Sequence, residues 1–172
     1  MDPSDPNTLY AGTGEMYTNA PGIGIYKTTD GGTSWTHILP STFDPNLSYV
    51  NSILVSPNNS QRVYVATGFG GLDGISRSTD GGNTWKKVFE GRREGSGVSS
   101  DQGCDSMIIR TDRGTDYIVA SCTAASSAGI YVNSDAGGSG SWTPVLEESA
   151  MGRTSLAIAP SNQNIMYALA SP

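Results

Sequence analysis

Histidine is almost missing from this chain, with one copy in 172 residues, and cysteine occurs only twice. With His37 as the lone imidazole beside Cys104 and Cys122, the residue types that build a metal centre suggest no metal site. No motif asks for an organic cofactor either. Charge is also scarce, at 15% of residues. Ten Lys and Arg stand against sixteen Asp and Glu, giving −6 at neutral pH. The cations are scattered rather than gathered into a basic stripe, which argues against a nucleic acid partner. No apolar run is long enough to cross a bilayer, and no segment keeps a helical period. The opening Met1-Asp2-Pro3-Ser4-Asp5-Pro6 lacks the apolar core of a secretory leader, so for a secreted parent the leader is expected upstream.

Glycine, at 22 copies, and proline, at 9, are plentiful, and they fall at regular places. One phrase recurs three times and contains every tryptophan. It reads Gly24-Ile25-Tyr26-Lys27-Thr28-Thr29-Asp30-Gly31-Gly32-Thr33-Ser34-Trp35, then Gly74-Ile75-Ser76-Arg77-Ser78-Thr79-Asp80-Gly81-Gly82-Asn83-Thr84-Trp85. The third copy runs from Gly129-Ile130 through Asp135-Ala136-Gly137 to Trp142, with Asn133 leading and two extra residues before the tryptophan. A strand that ends in Ser/Thr-Thr-Asp, turns over Gly-Gly and restarts at Trp is a tight hairpin. The aspartate can accept N–H bonds of its own turn, and glycine supplies the positive φ. The looser third copy predicts a looser turn.

A second phrase confirms the period. Asp5-Pro6-Asn7-Thr8-Leu9-Tyr10-Ala11 returns as Ser56-Pro57-Asn58 to Val63-Tyr64-Val65, and again as Pro160-Ser161-Asn162 to Met166-Tyr167-Ala168. Apolar runs precede it at Ile53-Leu54-Val55, Met107-Ile108-Ile109 and Leu156-Ala157-Ile158. The repeat of about 50 residues therefore holds four short antiparallel strands, the signature of a β-propeller blade. The expected fold is all-β, one partial propeller over residues 1–172 with about three and a half blades. The repeats are expected near 1–48, 49–102, 103–150 and, incomplete, 151–172. Closed propellers have typically four to eight blades, so two apolar blade faces would be left open. They are expected to meet the remaining blades of a longer parent protein or, alternatively, another copy of the chain.

The phrase Ser/Thr-x-Asp-x-Gly-x-Thr/Ser-Trp resembles the Asp-box of bacterial-neuraminidase-type repeats. Those repeats occur in sialidases, in xyloglucanase-like glycoside hydrolases and in sortilin-type receptors. The resemblance implies that Asp30, Trp35, Asp80, Trp85, Asp135 and Trp142 are structural and lie away from any active site. It also implies an extracellular or secreted protein.

The cysteines flank a candidate hairpin turn, Asp112-Arg113-Gly114. With a three-residue loop, 109 pairs with 117 and 104 with 122, so Cys104 and Cys122 are expected to form a disulfide, with Gly114 at positive φ. Two separate buried thiols are the other reading. A disulfide implies an oxidising compartment.

Ligand-contacting residues are expected in the variable loops. Glu15, Tyr17, Phe69, Asp73, Arg92 and Arg93 supply aromatic rings to stack on sugars, and acids and guanidinium groups to bond hydroxyls. A glycosidase needs two carboxylates about 5 to 10 Å apart, and Glu15 and Asp73 come from equivalent loops of neighbouring repeats. No Arg-Ile-Pro phrase of the sialidase type is present near the start. The favoured reading is an extracellular, non-catalytic propeller module that recognises a glycan or a protein. The alternatives are part of a glycoside hydrolase, xyloglucanase-like more than sialidase, and a structural protein that assembles through its open blade faces.

Overall fold

A computed structural model describes residues 1–14, 20–38, 47–68, 74–90, 103–123, 128–148 and 151–171. Among these residues every regular element longer than a turn is a strand. The first sheet contains β1 (Leu9–Gly12), β2 (Ile25–Thr28) and β3 (Thr36–Ile38). Two complete sheets follow. One is β4 (Val50–Ser56), β5 (Asn59–Thr67), β6 (Gly74–Ser78) and β7 (Lys86–Glu90); the other is β8 (Gly103–Ile109), β9 (Ile118–Thr123), β10 (Ala128–Asn133) and β11 (Thr143–Glu148). The last sheet is β12 (Thr154–Ile158) paired with β13 (Met166–Ala170).

Each sheet is an antiparallel meander in chain order, which is the blade of a propeller. Register places the blades in correspondence. Leu9, Val63 and Ile118 face Thr28, Ser78 and Asn133 across the second and third strands. The first sheet thus carries the second, third and fourth strands of a blade, and the last sheet carries the first two. The fold is a partial propeller of two whole blades between two incomplete ones.

A blade is too thin to bury its own side chains, so the core lies between blades. Ile25, Val50, Val55, Val63, Val65 and Trp85 fill the space between the first and second blades. Tyr64, Ala66, Ile75, Met107, Ile118 and Ala120 fill the space between the second and third. The β-branched residues of β5 suit this setting, because both faces of that strand are covered.

The β8–β9 hairpin departs from its expected register. Ile109 pairs with Ile118 rather than with residue 117, and Arg110 N donates to Tyr117 O to close a wider turn. Gly114 is not at positive φ. The cause is Asp116, whose carboxylate is drawn inward to the second blade, so the strand restarts only after it. A β-bulge at Asp105 then takes up the one-residue offset. Cys104 and Cys122 come back into opposition and form a disulfide. Asn51 occupies the same bulge position in the second blade, and its Nδ2 donates to Cys104 O at 3.1 Å.

Candidate ligand-binding surface

The hairpins that follow the third strand are built alike in the first two blades. Thr28 Oγ1 donates to Asp30 Oδ1 at 2.7 Å and accepts from the Asp30 and Gly32 N–H groups. Ser34 donates its N–H to Asp30 Oδ1 and its hydroxyl to Oδ2. Ser78, Asp80, Gly82 and Thr84 repeat the same set in the second blade. Gly31 and Gly32 sit at φ of 72° and 96°, and Gly81 and Gly82 at 69° and 102°, the region where a side chain is strained. Each indole N–H closes its own turn, Trp35 on Gly32 O at 3.1 Å and Trp85 on Gly82 O at 2.9 Å. The Thr84 hydroxyl and N–H, helped by Ser78, lower the Asp80 carboxyl to about 2. The Ser34 hydroxyl and N–H, with Thr28, hold Asp30 well below the carboxylate range. These aspartates are anions fixed by neutral donors, the reverse of what a proton-shuttling acid requires.

The third hairpin is different. Asn133 replaces the hydroxyl residue, accepting from Asp135 N and donating to Gly140 O. Asp135 joins the turn mainly through its backbone carbonyl, which accepts from Gly138 and Gly140. Trp142 packs against Phe89 of the second blade at 5.2 Å, and its buried indole N–H has no acceptor among the described residues. The three tryptophans are therefore not equivalent in bonding.

Chain direction sorts the remaining connections. The tight hairpins lie at one end of the blades. The strand ends joined from β1 to β2, β5 to β6, β9 to β10 and β7 to β8 all lie at the other end. Glu15, Tyr17, Phe69, Asp73, Arg92 and Arg93 belong to those connections and lie outside the described residues. Their anchors are well tied. Thr13 Oγ1 accepts from Ile23 N and Gly24 N, Gly22 N donates to Ser48 O, and Gly68 bridges Gly103 across the blade boundary. No proton-shuttling pair is visible among the described carboxylates, several of which are held in turns or ion pairs.

Two features were missed in the sequence. The first is Asp116, fully buried at the boundary of the second and third blades. It accepts from Ser56 Oγ at 2.6 Å, Asn58 Nδ2 at 2.8 Å, and from Arg62 and the Tyr64 hydroxyl at 2.7 Å each. Burial pushes its carboxyl up, but the bonds from Asn58, Ser56, Tyr64 and Arg62 outweigh that and hold it below the ordinary value. Burial and the Asp116 bond together push the Tyr64 phenol far up. The second is a recurring latch between blades. Lys27 Nζ donates to Gly81 O at 3.1 Å, and Arg77 Nη1 donates to Ala136 O at 2.6 Å. Each cation reaches the carbonyl just after the turn aspartate of the following blade. Spacing alone had a signal for this, since Lys27 and Arg77 hold the same place in the repeated phrase.

No family model matches the chain. It is 31% identical over 166 residues to a xyloglucanase of Hypocrea jecorina, which covers 84% of this chain and 20% of that protein. It is 40% identical over 94 residues to the xyloglucanase Xgh74A of Acetivibrio thermocellus, covering 51% of this chain and 11% of that protein. The chain thus spans a fifth or less of the length of the relatives it matches. Its fold superposes on an ancestral GH74 enzyme with a TM-score of 0.70 at 23% identity, over 98% of this chain and 21% of the other.

Proposed function

We propose that this chain forms part of the propeller of a secreted glycoside hydrolase of the xyloglucanase type, with the substrate held at the end opposite the tight hairpins. One observation carries the reading: the likeness to a xyloglucanase runs through 84% of the chain rather than through one hairpin. The placement of the connections supports it. The strand ends joined through Glu15, Tyr17, Phe69, Asp73, Arg92 and Arg93 lie at one end of the blades, while the structural aspartates occupy the other. In this reading Tyr17 and Phe69 stack on sugar rings, Arg92 and Arg93 donate to hydroxyls, and Glu15 and Asp73 are the carboxylates to test for acid and base roles.

The open blade faces support a larger ring. Tyr167 and Leu169 are 64% and 77% exposed, whereas Tyr64 and Ala66, their counterparts in the second blade, are fully buried under the third. A further blade of the parent protein is the proposed cover.

The test uses the intact protein that carries this segment. Release of reducing ends from xyloglucan, and loss of at least about a hundredfold in kcat for Glu15→Gln or Asp73→Asn, is the expected result. Binding of xyloglucan with no cleavage would favour the non-catalytic module instead, which uses the same loop end without a carboxylate pair. Neither binding nor cleavage would sink both.

A further inference from the structure

A cleft of 310 Å³ lies between the outer strands of the second blade and the third hairpin turn. Arg77, Lys86 and Lys87 line it, with Asn133 and the backbone of Gly138 to Gly140 opposite. Its volume sits at the lower end of small-ligand sites, about 300 Å³.

Three observations set this cleft apart. Arg77 and Lys86 are directly opposite in the register of β6 and β7, a like-charge pair that weakens a sheet. Among the described residues, Arg77, Lys86 and Lys87 form no ion pair, whereas Arg62 and Arg110 pair with Asp116 and Asp112. The cluster persists in a chain of net charge −6, where counter-charges are plentiful. Arg77 also latches onto Ala136 O, so its guanidinium is held in place at the wall.

The neighbouring cleft provides the comparison. Between the first and second blades an equivalent cleft of 240 Å³ is lined by Lys27, Thr28, Thr29, Ser34, Thr36, Ile38, Gly81 and Asn83. It has one cation where the other has three; Thr36 stands in the place of Lys86. The fold alone therefore makes the cleft, and the sequence charges only one of them. Lys87 and Val88 also border the cleft, next to a β-bulge at Val88 that interrupts the pairing of β7 with β6. The third hairpin, with its two extra residues and its glycines, forms the opposite side. The Asp135 carboxylate lies against Gly138 but does not itself line the cleft.

We infer that this cleft binds an oxyanion group, a carboxylate or a sulfate. Arg77 and Lys86, opposed on one wall of a small cleft that Lys87 also borders, suit a charge-assisted contact to such a group, and a like-charge pair with no anion beside it is the kind of local conflict found at functional sites. This inference does not rest on the hydrolase reading, since it concerns the rim and not the loop end.

Titration calorimetry of the whole chain tests it, with a galacturonic acid trimer, a sulfated disaccharide, inorganic sulfate and a neutral glucose oligomer as probes. The two acidic saccharides distinguish the carboxylate source from the sulfate source. At least one of them should bind, more weakly at about 200 mM than at about 20 mM salt, while the neutral oligomer does not. Lys86→Glu should weaken that binding by at least about tenfold. The same change should raise Tm by about 1–3 °C, because it turns the opposed pair with Arg77 into an ion pair. Lys86→Gln should weaken binding without a new ion pair, and Lys27→Gln, in the neighbouring cleft, should leave binding unchanged. No binding of either acidic saccharide, equal binding by Lys86→Glu, or a fall in Tm in Lys86→Glu would each overturn the site. Inorganic sulfate should bind comparably to the sulfated disaccharide, since the oxyanion is the recognised group, and a disaccharide that bound while sulfate did not would overturn that assignment.

Discussion

Asp30 and Asp80 each place both carboxylate oxygens inside their own turn, so their chemistry ends where it begins. Removing one leaves turn N–H groups without an acceptor. Asp80→Ala is expected to lower stability by about 1–2 kcal/mol, measured by urea unfolding, with no change in saccharide affinity. The folded Asp80 carboxyl is lowered to about 2 from an ordinary value of 3.8, so its stabilisation is complete above the ordinary value. It fades as pH falls from near 4 towards 2. Asp80→Asn should flatten that part of the stability curve, and an unchanged acid limb would disprove the assignment. Asp116 is the more consequential residue, because four donors from another blade converge on it. Asp116→Ala leaves a buried phenol and a half-buried guanidinium without their partner, and is expected to cost about 3 kcal/mol. Its lowered carboxyl adds to the same loss of stability in acid.

The β8–β9 hairpin shows how an element answers to its neighbours. Its turn is wider than the spacing of Asp112, Arg113 and Gly114 implies, because Asp116 faces inward; the bulge at Asp105 restores the pairing that the cysteines need. The bridge closes a loop of 18 residues, for which a stabilisation of about 2–4 kcal/mol is expected. Cys104→Ser with Cys122→Ser should show that loss in denaturant unfolding. Thiol titration of the denatured, unreduced protein should find no reactive thiol. Two thiols per chain would refute the bridge while leaving the strand register untouched.

At the scale of the molecule, stability is shared between blade boundaries rather than held in one core. Trp85 is 8% exposed under the first blade, whereas Trp35, its counterpart in the first blade, is 44% exposed. The same logic applies at the far side, where Ile165, Tyr167 and Leu169 are uncovered. The 172-residue chain by itself is therefore expected to associate as concentration rises, and Tyr167→Lys with Leu169→Lys should hold it monomeric in sedimentation velocity. In a larger ring of the kind proposed, the same double change should cost stability, because those positions would then be buried. A wild-type segment that stays monomeric at every concentration would count against a covered face.

The blade was legible in the sequence because it is local. Strand, turn and strand lie within about 50 residues, and a hairpin whose aspartate bonds its own backbone needs no distant partner to declare itself. The opposition of Cys104 and Cys122 was legible for the same reason, although the reading reached it through a turn that the chain does not make. What lies between blades was not legible. Asp116 reads as a polar residue at the start of a strand, and only packing brings Ser56, Asn58, Arg62 and Tyr64 around it. Arg77, Lys86 and Lys87 read as scattered cations until the register and the following blade place them on one cleft. The sequence by itself determined the repeat, its strands and its turns, because these depend on contacts a few residues apart. The tertiary structure decided which side chains share a buried charge or an open cleft, since those depend on pairs 50 or more residues apart that no local pattern encodes.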